Sequence, residues 1–377
     1  MLIYRLPAYH GEARATLEMI FEIALPLLIA TVLWQYFNKY LALFLILTVV
    51  STFWPVYGFP SFMASKAVLY GMIWYGMTII IIERSNIEHI YRVMRWAVFL
   101  NVIVQTLQWT DLPFWMDCKM PVGLMSNPNE TSALYIFSLM AFSERKNWKL
   151  LPLVFWGIYL SDAMTGYVCL IVGIPVYIYL ASEKKNVVLL YALGVVVFIA
   201  LLVMSGLFST YYSPVNERLY IKLGGKSIFS IWLYTLNYRL ECWKIGFRFL
   251  KEHWILGSGI GYWKYVFERV MPTAGGTRWV TAHNEYLQTW FEMGIGAIIL
   301  IGLYFIDVIG RYHKRALIPT MALILIAVNS AGNFPWHIAP LAVMALTWMA
   351  ILEVKLIDNS TTTSRRIYRL LGSGVGF

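Results

Sequence analysis

Residues 281–294 read TAHNEYLQTWFEMG, bringing a histidine, an asparagine and a deeper glutamate to the entrance of a long apolar run. An imidazole titrates near neutrality, as a general base or acid at that pH must. On a helix beginning near residue 282, His283, Leu287 and Trp290 share a face, while Asn284 can cap the first turn or bind a sugar hydroxyl. Glu292 follows about nine residues later, and a carboxylate inside an apolar segment is a functional candidate by default. The alternative is structural: His283 and Asn284 are polar residues at a water boundary, and Glu292 is half of a structural pair. His253, His283 and His337 are scattered, and no His/Cys/Asp/Glu spacing suits a metal centre. No metal or cofactor is therefore expected, and no Ser-His-Asp or Cys-His arrangement can be argued.

The segment before this histidine is basic. Residues 208–282 hold ten Lys and Arg against four Glu, a net of +6 within a chain total of +10. Such a surplus suits anionic lipid headgroups, or a site for an anionic ligand held close to a membrane. In RLECWKIGFRFLKEHW, the residues Trp243, Phe247, Leu250 and Trp254 make one apolar stripe, with Lys244, Arg248 and Lys251 on a neighbouring face. This pattern predicts an amphipathic helix lying in the interface. Arg239 is read as opening that helix, where its charge and the free backbone N–H groups would act together on an anion. LGSGIGYW, at 256–263, lacks a Walker lysine and a preceding strand, so it reads as a loop returning the chain to the membrane rather than as a nucleotide cradle.

The elements that must position these residues are membrane helices. The chain has 377 residues, 59% hydrophobic and only 13% charged. Soluble domains carry roughly a quarter charged residues. Apolar runs occur at about 19–36, 40–57, 66–82, 94–110, 129–142, 149–161, 163–181, 187–207, 284–307, 316–332 and 337–357. The expectation is an all-α polytopic membrane protein of about 11–12 spans, without the two-residue alternation of a β-barrel. No cleavable leader is visible, since the first run contains Glu22. Lys and Arg gather in the loops near 84–95, 144–149, 182–185 and 311–315 and in the tail, which places those on the cytoplasmic side. The other side receives 108–130, 161–166, 332–337 and the insert. The expected organisation is a helix bundle over 1–207, an external basic loop over 208–283 carrying the interfacial helix, closing spans over 284–357 and a cytoplasmic tail over 358–377. Cys118 and Cys242 would both face outside, where a disulfide is chemically permitted. Membrane lipids are expected partners, and nucleic acid is not.

NYRLECWKIGFRFLKEHWILGSGIGYW followed by TAHNEYLQTWFEMGIGAIILIGLYF resembles the signature region of the bacterial O-antigen ligase and O-antigen polymerase family. The shared features are an Arg, a Trp a few residues on, a Gly-x-Gly turn, then His-Asn-x-x-Leu and Glu-x-Gly opening the next span. GLMSNPNETSALYIF, which contains Asn129, is similar to the Asn-bearing segment before a middle span of that family.

The resemblance implies a fold similar to the GT-C class and a multi-pass protein of the bacterial inner membrane with its site facing the periplasm. It also implies an undecaprenyl-diphosphate-linked glycan as donor and a lipid A core or another glycan as acceptor. His283 would then be the base, Arg239, Arg278 and Arg218 the diphosphate contacts, and Asn284, Glu292 and Asn129 further substrate contacts. Inversion at the anomeric carbon without metal is implied too. Where the family often carries an Arg at the external start of a middle span, this chain has LSDAMTGYVCLI with Met164 near that place, so a base of the insert such as Arg218 or Lys222 would have to substitute. Competing readings are a transporter or flippase of polyprenyl-linked saccharides, which should show internal repeats that this sequence lacks, and a non-catalytic assembly protein.

Overall fold

The computed structural model describes residues 38–52, 58–110, 121–143, 145–161, 163–181, 228–270, 281–312 and 316–359. Every regular element among them is helical. The helices are α1 (Lys39–Ser51), α2 (Gly58–Arg84), α3 (Ile87–Trp109), α4 (Pro128–Ser143), α5 (Leu151–Ser161), α6 (Met164–Ala181), α7 (Ile228–His253), α8 (Trp263–Val270), α9 (Glu285–Met293), α10 (Ile295–Tyr312), α11 (Leu317–Ser330) and α12 (Ala339–Asn359). Short 3-10 turns cover Arg145–Leu150 and Pro335–His337. The apolar runs expected at 19–36 and 187–207 lie outside the described residues. Two described stretches, Ala64–Arg84 within α2 and Met164–Ala181, are long and apolar enough to cross a bilayer, and several shorter apolar helices accompany them.

One expected span differs from the structure. The run 284–307 is not one helix but α9 and α10, separated at Gly294 with φ 79° and ψ 180°. That conformation is open essentially only to glycine, so it ends one helix and redirects the next.

Contacts divide the chain into two compact units, residues 1–77 with 238–307, and 78–237 with 308–377. The second unit packs α4 at its centre, against α3, α5, α6, α11 and α12. Its α4 carries buried Tyr135, whose hydroxyl donates to Gln105 Oε1 at 2.6 Å and accepts from Asn101 Nδ2 at 2.8 Å. Asn101, Gln105 and Gln108 also hold the turn at 121–124: Gln105 donates to the Pro121 carbonyl, Leu124 N–H donates to Asn101, and Gln108 exchanges both bonds with Gly123. Buried polar groups inside an apolar bundle are costly unless paired, and this set is paired. Trp348 of α12 donates its indole N–H to the Phe137 carbonyl at 2.7 Å, tying the last helix to α4.

In this unit the external-side segments inferred from the charge pattern meet. Thr165 at the start of α6 donates to Asn129 Oδ1, and Asn333, just past α11, donates to the Asn129 carbonyl, both at 3.3 Å. Met164 is the first residue of α6 and is half-buried.

In the first unit, Asn38 caps α1 by accepting from Tyr40 N–H, and its amide reaches Asp307 of α10. A small cluster of Ile260, Met293 and Ala297 packs on Phe44 and Leu47 of α1 and on Ala64 and Val68 of α2. A second cluster joins α7, α8 and α9, and the candidate site is built around it.

Candidate active site around His283

α7 runs from Ile228, so Arg239 lies three turns inside the helix and does not open it. No proline interrupts IFSIWLYTLNYRLECW, and the apolar residues before Arg239 continue the helix rather than precede it. The helix N-terminus therefore adds nothing to Arg239; its guanidinium acts through position and burial alone. Arg239, Cys242, Gly246 and Leu250 form the buried face, whereas Leu240, Lys244, Phe247 and Lys251 are exposed. The stripe expected from the sequence thus splits: Leu250 turns inward, while Phe247 and the following Trp254 stay outside beside the lysines. Lys244 pairs with Glu241 at 2.6 Å on the exposed surface, a contact worth at most about 1 kcal/mol. Cys242 is free, packed in the cluster with Trp263, Phe267, Leu287 and Phe291, and burial pushes its thiol pKa up to about 12. The disulfide that the compartment would permit is not formed by Cys242; Cys118 lies outside the described residues.

The Gly-rich turn after α7 caps α9. Ser258 N–H donates to the Phe291 carbonyl at 2.9 Å, Gly259 N–H to the Glu292 carbonyl at 2.8 Å, and Ile295 N–H to the Trp254 carbonyl at 2.9 Å. The first two bonds satisfy carbonyls that the end of α9 would otherwise leave without partners, and the third ties the start of α10 back to the turn. The backbones approach so closely that a Cβ on Gly257 would sit 2.5 Å from the Glu292 oxygen, and one on Gly294 2.0 Å from the Ile255 oxygen. The side chain of Glu292 completes the junction. Its carboxylate accepts from Gly261 N–H at 2.8 Å, Trp263 N–H at 3.3 Å and Gln288 Nε2 at 3.1 Å. Glu292 is thus a buried anchor for the turn, the structural alternative raised by the sequence.

His283 sits on the segment that enters α9. It is the one non-glycine with positive φ, 50°, among the described residues. Residues on both sides fix it there. The preceding Ala282 is fully buried; its N–H donates to Gln288 Oε1 at 3.0 Å, and its carbonyl accepts from Trp243 Nε1 of α7 at 2.8 Å. The following Asn284 caps α9 by accepting from Leu287 N–H at 3.0 Å. Asn284 therefore does the first of the two jobs its position allowed.

Residues 150–302 match the family model described as O-Antigen ligase. The matched segment, 150–302 of 377 residues, is similar to that family and supports an O-antigen ligase or polymerase assignment. It takes in α5 to α9, Arg239, His283 and the whole Gly-rich junction, and it ends within α10. No curated protein matches the chain. The match supports, at a coarse level, a membrane role in glycan transfer by a glycosyltransferase-type activity. Among the described residues, no group of three or more His, Cys, Asp or Glu is placed to hold a metal ion.

The electrostatics of the site follow from burial. Arg239 is 7% exposed, and desolvation lowers its pKa, although a guanidinium remains charged at neutral pH. Desolvation, aided by the Arg239 charge, pushes the His283 pKa down to about 3. The imidazole is consequently neutral at physiological pH. Of the other residues singled out in the sequence, Arg218 and Arg278 lie outside the described residues. Asn129 belongs to the second unit, bonded to Thr165 and Asn333 as above. The sequence reading missed Trp243 and Gln288 as supports of His283. The i, i+4 pairing of Gln288 with Glu292 was a visible signal; the reach of Trp243 to Ala282, 39 residues away, was not.

Proposed function

We propose that this protein transfers a glycan from undecaprenyl diphosphate to an acceptor hydroxyl at the periplasmic face of the bacterial inner membrane, on a GT-C-like scaffold. The observation that carries the reading is that the family-matched segment brings His283, at positive φ on the entry to α9, into the field of the buried Arg239 of α7. In the reaction, the acceptor oxygen bonds to the anomeric carbon as the bond from that carbon to the diphosphate breaks. The hydroxyl proton goes to His283, and undecaprenyl diphosphate leaves with its new charge facing Arg239. A guanidinium suits that role because its planar donors match phosphate oxygens. Attack opposite the leaving group inverts the anomeric centre. Guanidinium groups supply the positive charge at the diphosphate, with Arg278 and Arg218 as further candidates and no metal required.

An anion beside Arg239 would offset the charge that depresses His283, so donor binding would raise the basicity of the imidazole when a base is needed. The test is transfer by purified protein from an undecaprenyl-diphosphate repeat unit, with and without a lipid A core acceptor. His283→Ala and Arg239→Ala should each abolish product in folded protein. Longer lipid-linked chains without added acceptor would identify a polymerase, and product only with lipid A core a ligase. Undiminished turnover in His283→Ala would end the base assignment.

A further inference from the structure

Ala282 has both of its backbone polar groups bonded to side chains from different helices, Trp243 of α7 and Gln288 of α9. This arrangement immediately precedes the strained His283. A left-handed conformation costs about 1–3 kcal/mol for a residue with a Cβ, and it persists only where its surroundings over-determine it. Trp243 and Gln288 supply that constraint on the upstream side, and the Asn284 cap supplies it downstream. Gln288 is itself held: its amide donates to Glu292, whose carboxylate also gathers Gly261 and Trp263. The chain of bonds thus runs from the Gly-rich turn through Glu292 and Gln288 to the residue next to the imidazole.

We propose that Trp243 and Gln288 are positioning residues that set the direction of the His283 side chain by clamping the two backbone groups of Ala282. This rests on the reading of His283 as the base. The indole is suited to the task because its single donor meets the carbonyl while its rings pack in the α7–α9 cluster, so ring and hydrogen bond can be separated by mutation. Gln288 is suited because one amide group both accepts from Ala282 and donates to Glu292. Neither side chain needs to touch substrate.

The decisive variant is Trp243→Phe, which keeps an aromatic ring and deletes only the indole N–H. Displacements of about 1 Å at a reacting group can cost 10²-fold in rate. The expected result is a fall in kcat of about 10-fold or more, with KM for the undecaprenyl-diphosphate donor within about twofold. The second readout is the pH profile. α7 brings Arg239 to this turn, and α9 brings Glu285, Tyr286 and Glu292; release of His283 from its half-buried setting should move the acid limb of kcat to higher pH. A role in stability alone would leave that limb in place. Gln288→Met, which preserves length and removes both bonds, should repeat the split and carries the test if Trp243→Phe does not fold. Unchanged kcat and pH profile in either folded variant, beside an inactive His283→Ala, would overturn the positioning role and leave the base assignment intact. Activity in His283→Ala would remove the base assignment first, and the positioning role with it.

Discussion

Replacing Gly294 by Ala tests the junction that holds the site together. Gly294 adopts φ 79° and ψ 180°, a region closed to side chains, and a Cβ there would sit 2.0 Å from the Ile255 oxygen and 2.8 Å from the Leu256 carbonyl carbon. The conformational strain is about 1–3 kcal/mol. Overpacking against backbone, which cannot rotate away, adds about 1–3 kcal/mol more. The total, about 2–6 kcal/mol, is centred above the roughly 3 kcal/mol that the adjacent bonds from Ser258, Gly259 and Ile295 can retain at about 1 kcal/mol each. The turn should therefore separate from the end of α9. Gly302 is the control, since it lies in α10 of the same unit and a Cβ there meets nothing within 4 Å. Gly302→Ala should be neutral or stabilising by up to about 1 kcal/mol through helix propensity. The assay is maleimide labelling of Cys242, read by peptide mass spectrometry in native protein, together with the half-life at elevated temperature. Wild type and Gly302→Ala should protect the buried thiol, and Gly294→Ala should label rapidly and inactivate sooner. Equal protection in both variants would refute the account of the junction.

Glu292→Gln replaces an acceptor by a donor where three N–H groups converge, so at least one buried donor loses its partner, at a cost of about 1–3 kcal/mol; thermal unfolding in detergent should show the loss, and an unchanged midpoint would contradict the anchor role. His283 also predicts a pH effect on stability. Its folded pKa, about 3, lies below the unfolded value of about 6.5, so its contribution is complete above pH 6.5 and declines as pH falls toward 3, where the unfolded state binds the extra proton. Unfolding temperatures at pH 7 and pH 5 should differ more for wild type than for His283→Ala, and equal differences would show that His283 is not held neutral.

The sequence made the helical class and the order of the site legible because both are local properties. Apolar runs require helices in a membrane, and Arg239, the Gly-rich turn and His283 could be read in line. What it concealed was orientation. In a soluble helix the apolar face points inward, but beside a membrane an apolar residue can face either core or lipid. A wheel therefore grouped Phe247 with Leu250, although the structure buries Leu250 and exposes Phe247. The N-terminus of α7 was concealed for the same reason: IFSIWLY is apolar enough to be packing, span or interface, and only the absence of a breaker shows that it continues into the helix. The Gly-rich turn was recognisable as a turn, yet its partner is the carboxyl end of α9 some 30 residues on, a tertiary fact with no sequence period. For Glu292 the structure supplies a structural reason for its burial, since three donors converge on its carboxylate.

Arg239 and His283 together explain why a protein would retain a strained, desolvated pair. Burial disfavours the charge on Arg239 and disfavours protonation of His283, and the guanidinium reinforces the second effect. An anion changes both in the same direction: it offsets the desolvated cation and removes the repulsion that keeps the imidazole from accepting a proton. On the proposed function, a diphosphate bound beside Arg239 would make the imidazole a stronger base than it is without an anion. The coupling requires the two groups to keep their separation while the charge between them changes. Bonds that could meet that requirement are present: Glu292, Gln288, Trp243 and the glycine junction tie α7, the turn and α9 to one another.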